Sequence, residues 1–164
     1  MAEPLLKLWK RNQTQLFLNI AATSATSPTW GRVRKSTQNE IQTNPKIETY
    51  PFIDVESEVD VLEEYKLSFP QELMTYEGDP LFDFIFKIFY EQKTGNDVVM
   101  DALIVFPKAG TTAGSFLAWK VPVTVAVSGL NAVDKKVAMD WSQSGDVVRG
   151  TVTVASGVPT FVAG

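Results

Sequence analysis

The side chains that could do chemistry in this sequence are carboxylates, lysines and tyrosines, because its 164 residues include no histidine and no cysteine. Zinc sites built from thiolates or imidazoles are therefore excluded, as are disulfides within the chain. Ser-His-Asp and Cys-His catalysis are excluded as well, since both use histidine as the base. The glycine-rich phosphate-binding motifs of nucleotide-binding proteins are also absent from the sequence.

Four alternating carboxylates form the strongest charged constellation: Asp54, Glu56, Glu58 and Asp60. They could supply a hydrolase carboxylate pair or bind a hard cation. They could equally be the solvated face of a strand, or a lining that repels the phosphate backbone of nucleic acid. Catalytic carboxylates usually occupy a pocket that perturbs them, and an open alternating strand does not indicate one. We therefore favour the repulsive lining and expect no enzyme activity, no cofactor and no metal site.

A short basic cluster, Arg32, Arg34 and Lys35, follows Trp30. An aromatic side chain among cations is typical of nucleic-acid patches. With only three charges, we favour a contact between subunits.

Charge is also segregated along the chain: residues 1–46 carry a net charge of +5 and residues 47–101 a net charge of −11. This distribution suggests electrostatic complementarity between copies arranged head to tail. Two solvated surfaces of opposite sign would explain it equally well.

Length and composition favour one globular domain, since 45% of the residues are hydrophobic. No apolar run reaches the roughly 20 residues of a membrane span, so we expect no membrane partner. The first ten residues lack the pattern of a signal peptide, and we expect a soluble protein made in the cytosol. Residues 1–29 have the pattern of an N-terminal arm, in which Trp9 is a candidate contact between subunits.

Apolar and acidic residues alternate from residue 53 to residue 69. This period predicts extended structure with one apolar and one acidic face. Because the run is longer than a typical strand, we expect two strands with a break or one long hairpin arm, with Glu63 as the break or bulge.

The sequence predicts one helix, over residues 79–92. Asp79 is a good N-cap and Pro80 suits the first helical position. The apolar arc of this helix is wider than a surface helix needs, so part of it is expected to face another subunit. The candidate contacts on that arc are Phe82, Phe86 and Phe89.

Strand patterns joined by short turns fill the rest of the chain and indicate antiparallel pairing. Pro122 interrupts one of them, which predicts an edge strand or a distortion there. The predicted fold is mainly β (α+β): an antiparallel two-sheet β-sandwich or small barrel, flanked by one α-helix, over residues 30–164.

Several segments together resemble one family. The segments Trp30-Gly-Arg-Val-Arg-Lys-Ser-Thr, Asn44-Pro45-x-x-Glu48-Thr49-Tyr50-x-Phe52-Ile53 and Tyr65-Lys-Leu-Ser-Phe69 are similar to the major tail (tail tube) proteins of phages with long, non-contractile tails that infect Gram-positive hosts. The segments Gly78-Asp-Pro-Leu-Phe-Asp-Phe-Ile, Lys93-Thr-Gly-Asn-Asp, Gly150-Thr-x-Thr and Gly157-x-Pro-Thr-Phe161 extend the likeness. The first 29 residues do not match the family pattern.

The resemblance implies hexameric rings that stack into a tube with an acidic lumen through which double-stranded DNA leaves the capsid. It implies a location in the virion tail after assembly in the host cytoplasm. The implied partners are copies of the chain and the tail terminator, tape measure and distal tail proteins. Asp54, Glu56, Glu58 and Asp60 then become candidates for the lumen lining, with the contact between rings as the second possibility.

Two alternatives stay open. One is a β-sandwich binding module of the tail tip that recognises carbohydrate or protein, with Trp119 and Trp141 as an exposed aromatic cluster. The other is the tube protein of a contractile or secretion apparatus.

Overall fold

The computed structural model describes residues 5–21, 26–110 and 112–164, which form eleven strands, one α-helix and one 3₁₀-helix. The strands are β1 (Gln15–Asn19), β2 (Trp30–Arg32), β3 (Ser36–Asn39), β4 (Lys46–Tyr50), β5 (Val59–Glu64), β6 (Ser68–Met74), β7 (Val99–Ala109), β8 (Phe116–Asn131), β9 (Lys136–Gln143), β10 (Val148–Ala155) and β11 (Val158–Ala163). The α-helix, α1, spans Pro80–Glu91, and the 3₁₀-helix spans Gly95–Val98.

Nine strands share one antiparallel hydrogen-bonded sheet in the order β2-β1-β7-β8-β9-β6-β3, with β10 paired to β8 and β11 paired to β10. The remaining two, β4 and β5, pair only with each other. The mainly β, antiparallel architecture with one flanking helix is confirmed.

The longest strand, β8, changes partner midway, and Pro122 lies at the change. On one side, β10 pairs with β8 up to Lys120, and β9 begins to pair at Val123. Pro122 therefore falls between the β10 and β9 pairings. Since β8 has no partner strand on that side at this point, the sheet loses no hydrogen bond through the N–H that proline lacks. Its carbonyl accepts from the Ser144 N–H at 2.9 Å. β8 is not an edge strand, because β7 lies on one side of it and β10 and β9 lie on the other; the distortion predicted at Pro122 is the local gap between β10 and β9.

The predicted N-terminal arm contains a core strand. β1 pairs with β7, and its Leu16, Phe17 and Leu18 are all buried. Leu16 and Leu18 join the main apolar cluster, while Phe17 points to a second cluster on the opposite face of the sheet. Burying each of these side chains contributes about 1.5–3 kcal/mol. The prediction of an N-terminal arm over residues 1–29 is therefore wrong for residues 15–19. Residues 1–4 and 22–25 of the predicted arm lie outside the described residues.

Helix α1 begins and ends within one residue of its predicted bounds. The Asp79 carboxylate accepts from the Leu81 N–H at 3.2 Å, and Pro80 is the first helical residue. Gln92 ends the helix in the left-handed conformation and donates its N–H to the Ile88 and Phe89 carbonyls. The helix buries four side chains against the main cluster, which fixes it on one face of the sheet: Leu81, Phe82, Ile85 and Ile88.

Candidate functional site

The β4–β5 hairpin has almost no buried surface. All five residues of β4 and five of the six in β5 are exposed. Opposite-strand pairing runs from Tyr50 with Val59 to Ile47 with Leu62. An isolated two-stranded hairpin is at best marginally stable in water, so a surface with this much exposed strand is a candidate for contact with another molecule.

A β-bulge at Glu63 shapes this hairpin, as the sequence predicts. Lys46 lies opposite Glu64 and Ile47 opposite Leu62, which leaves Glu63 as the extra residue. The Lys46 ammonium approaches Glu63 at 3.3 Å and Glu48 at 3.7 Å. The bulge therefore places an acidic side chain beside the one cation of the hairpin.

The base of the hairpin is held to the body by hydrogen bonds. The Asn44 side-chain amide donates to the Lys66 carbonyl at 2.9 Å and to the Ser68 hydroxyl at 3.0 Å. The Lys66 N–H donates to the Thr43 carbonyl at 2.9 Å. Beyond these contacts, β4 alone projects about 16 Å at roughly 3.3 Å per residue.

The predicted acidic strand face is not formed, which corrects the sequence analysis. Asp54, Glu56 and Glu58 lie in the loop between β4 and β5, and only Asp60 is in a strand. The reason is topological: antiparallel partners must be joined by a reversal, and its residues cannot belong to the ladder. Asp60 accepts a hydrogen bond from the Thr49 hydroxyl at 2.7 Å. The four carboxylates are exposed, at the end of the projection rather than along one continuous face.

Tyr50 and Glu63 form a hydrogen-bonded pair on the hairpin. The phenol donates to the Glu63 carboxylate. This hydrogen bond, followed by desolvation and the charges of Glu63 and Glu48, raises the pKa of Tyr50 above its ordinary value of 10.0. Tyr50 also stacks on Phe52, with ring centres 5.5 Å apart.

The basic cluster lines a cleft of about 640 Å³. Its walls carry Arg32, Arg34 and Lys35, as the sequence analysis proposed, together with Arg11. No described acidic residue lies within ion-pair distance of these four cations. Trp30 does not line the cleft and instead packs against the second apolar cluster, so the aromatic component of a nucleic-acid patch is not beside the charges.

Pairing between distant segments brings Arg11 to this cleft. Phe17 of β1 lies opposite Arg32 of β2, which sets the turn before β1 next to the basic cluster. In that turn, the Lys10 N–H donates to the Gln13 side chain at 2.8 Å. Sequence reasoning missed Arg11 because its role depends on β1, which was assigned to the arm.

The predicted aromatic contacts on α1 divide into two groups. Phe82 is buried and belongs to the core of this subunit, so it is not a free surface for a partner. Phe86 and Phe89 are partly exposed, and Tyr90 is mostly exposed. The Phe86 ring lies 6.0 Å from that of Tyr90 and 6.4 Å from that of Phe89, forming one continuous aromatic patch.

Trp9 and Trp119 share a groove, whereas Trp141 lies in the core. Trp9 is about half exposed and lines a groove of about 290 Å³ with Trp119 and Phe106. Trp119 meets Phe106 edge to face at 5.0 Å. Trp141 is fully buried, so the exposed Trp119–Trp141 cluster expected of a tail-tip binding module is not formed.

Within the described residues, no group of three or more acidic side chains is placed to hold a metal ion. Likewise, α1 and the other helical segment within the described ranges fall short of the length and apolarity needed to cross a membrane.

No known family model and no curated protein matches this sequence. Among solved structures, the chain is similar to one in the virion of a native gene transfer agent particle, with a TM-score of 0.59 and 10% identity over 95% of this chain and 100% of that chain. It is also similar to a chain in the C6-symmetric tail of an empty gene transfer agent particle, with a TM-score of 0.57 and 9% identity over 85% of this chain and 97% of that chain. At such identities the likeness establishes a shared fold.

Proposed function

We propose that this chain is a structural subunit of a phage-type tail, and that it polymerises as stacked, hexameric rings to form the tail tube. The observation that carries the proposal is the fold, which matches nearly the whole length of chains from tail and virion particles. One of those tails has C6 symmetry. The sequence motifs favour the non-contractile tails of phages with Gram-positive hosts, and that finer assignment stays a prediction.

The surfaces of the subunit support an assembly role. An exposed hairpin, a basic cleft and an aromatic patch lie outside the core, and each is a surface that a monomer would normally cover or lack. We propose that the chain has no catalytic role and acts through these surfaces. The proposed partners are copies of the chain and the tail terminator, tape measure and distal tail proteins.

Double-stranded DNA would pass through such a tube without sequence-specific contacts. The subunit carries a net charge of −4, which disfavours adhesion of the phosphate backbone. Because three of the four candidate lumen carboxylates lie on a projecting loop, we propose that they contact another copy of the chain, as in the second possibility, the contact between rings.

Electron microscopy of the purified protein over a range of concentrations tests the tube. We expect rings or hollow tubes, with six subunits per ring after averaging. The double variant Glu91→Lys, Asp97→Lys, which changes exposed charges outside the hairpin, is the matched control and should assemble like the unmodified protein. Monomers at every concentration, also in the presence of the tail terminator and distal tail proteins, would contradict the proposal.

A further inference from the structure

We infer that the β4–β5 hairpin of one copy docks into the basic cleft of a second copy, with its acidic loop facing Arg11, Arg32, Arg34 and Lys35. This inference rests on the proposed assembly role and assigns the two surfaces that meet. The occupant of the cleft is therefore another copy of this same chain.

Charge complementarity is the first argument. Residues 46–64 contain seven acidic side chains and one cation. That cation, Lys46, is already paired with Glu48 and Glu63, so the carboxylates of the loop have no cationic partner among the described residues. The cleft shows the opposite imbalance, with four cations and no acidic side chain among the residues that line it. Opposite potentials of this kind fix the register of an interface.

Apolar exposure is the second argument. The loop and its flanks expose Phe52, Ile53 and Val55, and Ile53 has no contact that covers it. Val33, which is partly exposed, contributes apolar surface to the cleft. Docking would remove these side chains from water, at about 25 cal/mol per Å² of apolar surface.

The hairpin does not occupy the cleft of its own subunit. No residue of the hairpin is among those that line the cleft. The base is fixed to the body through Thr43, Asn44, Lys66 and Ser68, so the hairpin extends away as a unit. The two surfaces differ from each other, and a contact between different surfaces is heterologous. Such contacts propagate from copy to copy, either around a ring or along a stack.

A charge-reversal experiment tests this pairing. The hairpin variant is Glu56→Lys with Glu58→Lys, and the cleft variant is Arg32→Glu with Arg34→Glu. The dissociation constant for self-association of each variant alone should rise by about tenfold or more, since like charges then face each other. An equimolar mixture should recover association, because each hairpin meets a cleft of opposite charge. The measurement is sedimentation velocity, with far-UV circular dichroism to confirm folding and Glu91→Lys, Asp97→Lys as the control.

Several results would overturn the inference. One is a folded hairpin variant that associates as the unmodified protein does. Another is a mixture that fails to recover association although both variants are folded. Loss of DNA binding by the cleft variant, with no recovery in the mixture, would make the cleft a nucleic-acid surface instead.

Cross-linking separates failure of docking from failure of the tube. The chain has no cysteine, so Glu56→Cys in one preparation and Arg34→Cys in another give a single reactive pair. We expect cross-linked dimers in the mixture, and none above background when Glu91→Cys replaces Glu56→Cys. If tubes form without this cross-link, the hairpin does not dock in the cleft, but the proposed tube stands. If the cross-link forms in solid fibres instead of hollow tubes, the docking stands, but the proposed tube is contradicted.

Discussion

At the scale of single residues, one hydrogen bond in the hairpin raises the pKa of a tyrosine. The Tyr50 phenol donates to Glu63, which is the extra residue of the bulge in β5. A raised pKa means that the folded hairpin favours the neutral phenol. The resulting stabilisation is complete below the unfolded pKa of about 10 and is lost as pH rises through the folded pKa.

The variant Glu63→Gln should lower the pKa of Tyr50 toward 10.0, because the hydrogen bond to a carboxylate is its largest cause. Absorbance at 295 nm, recorded as a difference between variant and unmodified protein during an alkaline titration, measures the change. Glu64→Gln is the matched control: it removes a neighbouring carboxylate that makes no hydrogen bond to Tyr50. Equal shifts in both variants would contradict the assignment.

At the scale of elements, β10 and β11 approach each other closely at Gly150. A Cβ at Gly150 of β10 would lie 2.2 Å from the Val162 carbonyl and 2.8 Å from the Phe161 ring. A side chain here must therefore push the two strands apart. Gly129 of β8 differs, since nothing lies within 4 Å of its Cβ position.

Gly150→Ala should accordingly lower the free energy of unfolding by about 1–3 kcal/mol through overpacking. Gly129→Ala should change it by less than about 0.5 kcal/mol, as is usual for open surface positions. Urea denaturation followed by tryptophan fluorescence measures both. A tolerated Gly150→Ala would show that β11 can move away without loss, against the pairing described here.

The same scale shows what sequence can predict. The helix was predictable because Asp79 and Pro80 act within their own turn, and the Glu63 bulge because one acidic residue interrupts an apolar alternation. β1 was not predictable, since five residues between polar segments give no sign that β7 will pair with them. The loop at residues 54–58 was mistaken for strand because alternation alone does not reveal where the chain reverses.

At the scale of the whole molecule, the surfaces result from pairings that no short segment specifies. The cleft requires Arg11 and Arg32, which are brought together by β1 and β2. The aromatic patch on α1 was partly predictable, because the apolar arc exceeded what one sheet face can cover. Which ring is buried could not be predicted, since it depends on how α1 sits on the sheet.

The aromatic patch can be tested separately from the core beneath it. The variant Phe86→Ser, Tyr90→Ser should keep the fold but raise the concentration needed for assembly by about tenfold, equivalent to about 1.4 kcal/mol of lost contact. Phe82→Ala should instead cost about 3–5 kcal/mol of folding stability, because Phe82 is buried. Assembly followed by light scattering, beside thermal unfolding of each variant, measures the difference. Unchanged assembly by the first variant would remove the patch from the set of contacts.

The placement of β1 has a consequence for synthesis of the chain. Phe17 lies opposite Arg32, only a short segment away, but on its other side opposite Leu103, 86 residues later. At roughly 5–20 residues per second, a ribosome needs about 4 to 17 s to make the intervening chain. Throughout that interval β1 and β2 can pair while the inner edge of β1 and its leucines stay uncovered. The nascent chain therefore carries an unpaired β1 edge until β7 emerges, and the leucines of β1 are fully covered only after α1, β8 and β9 have joined the main apolar cluster.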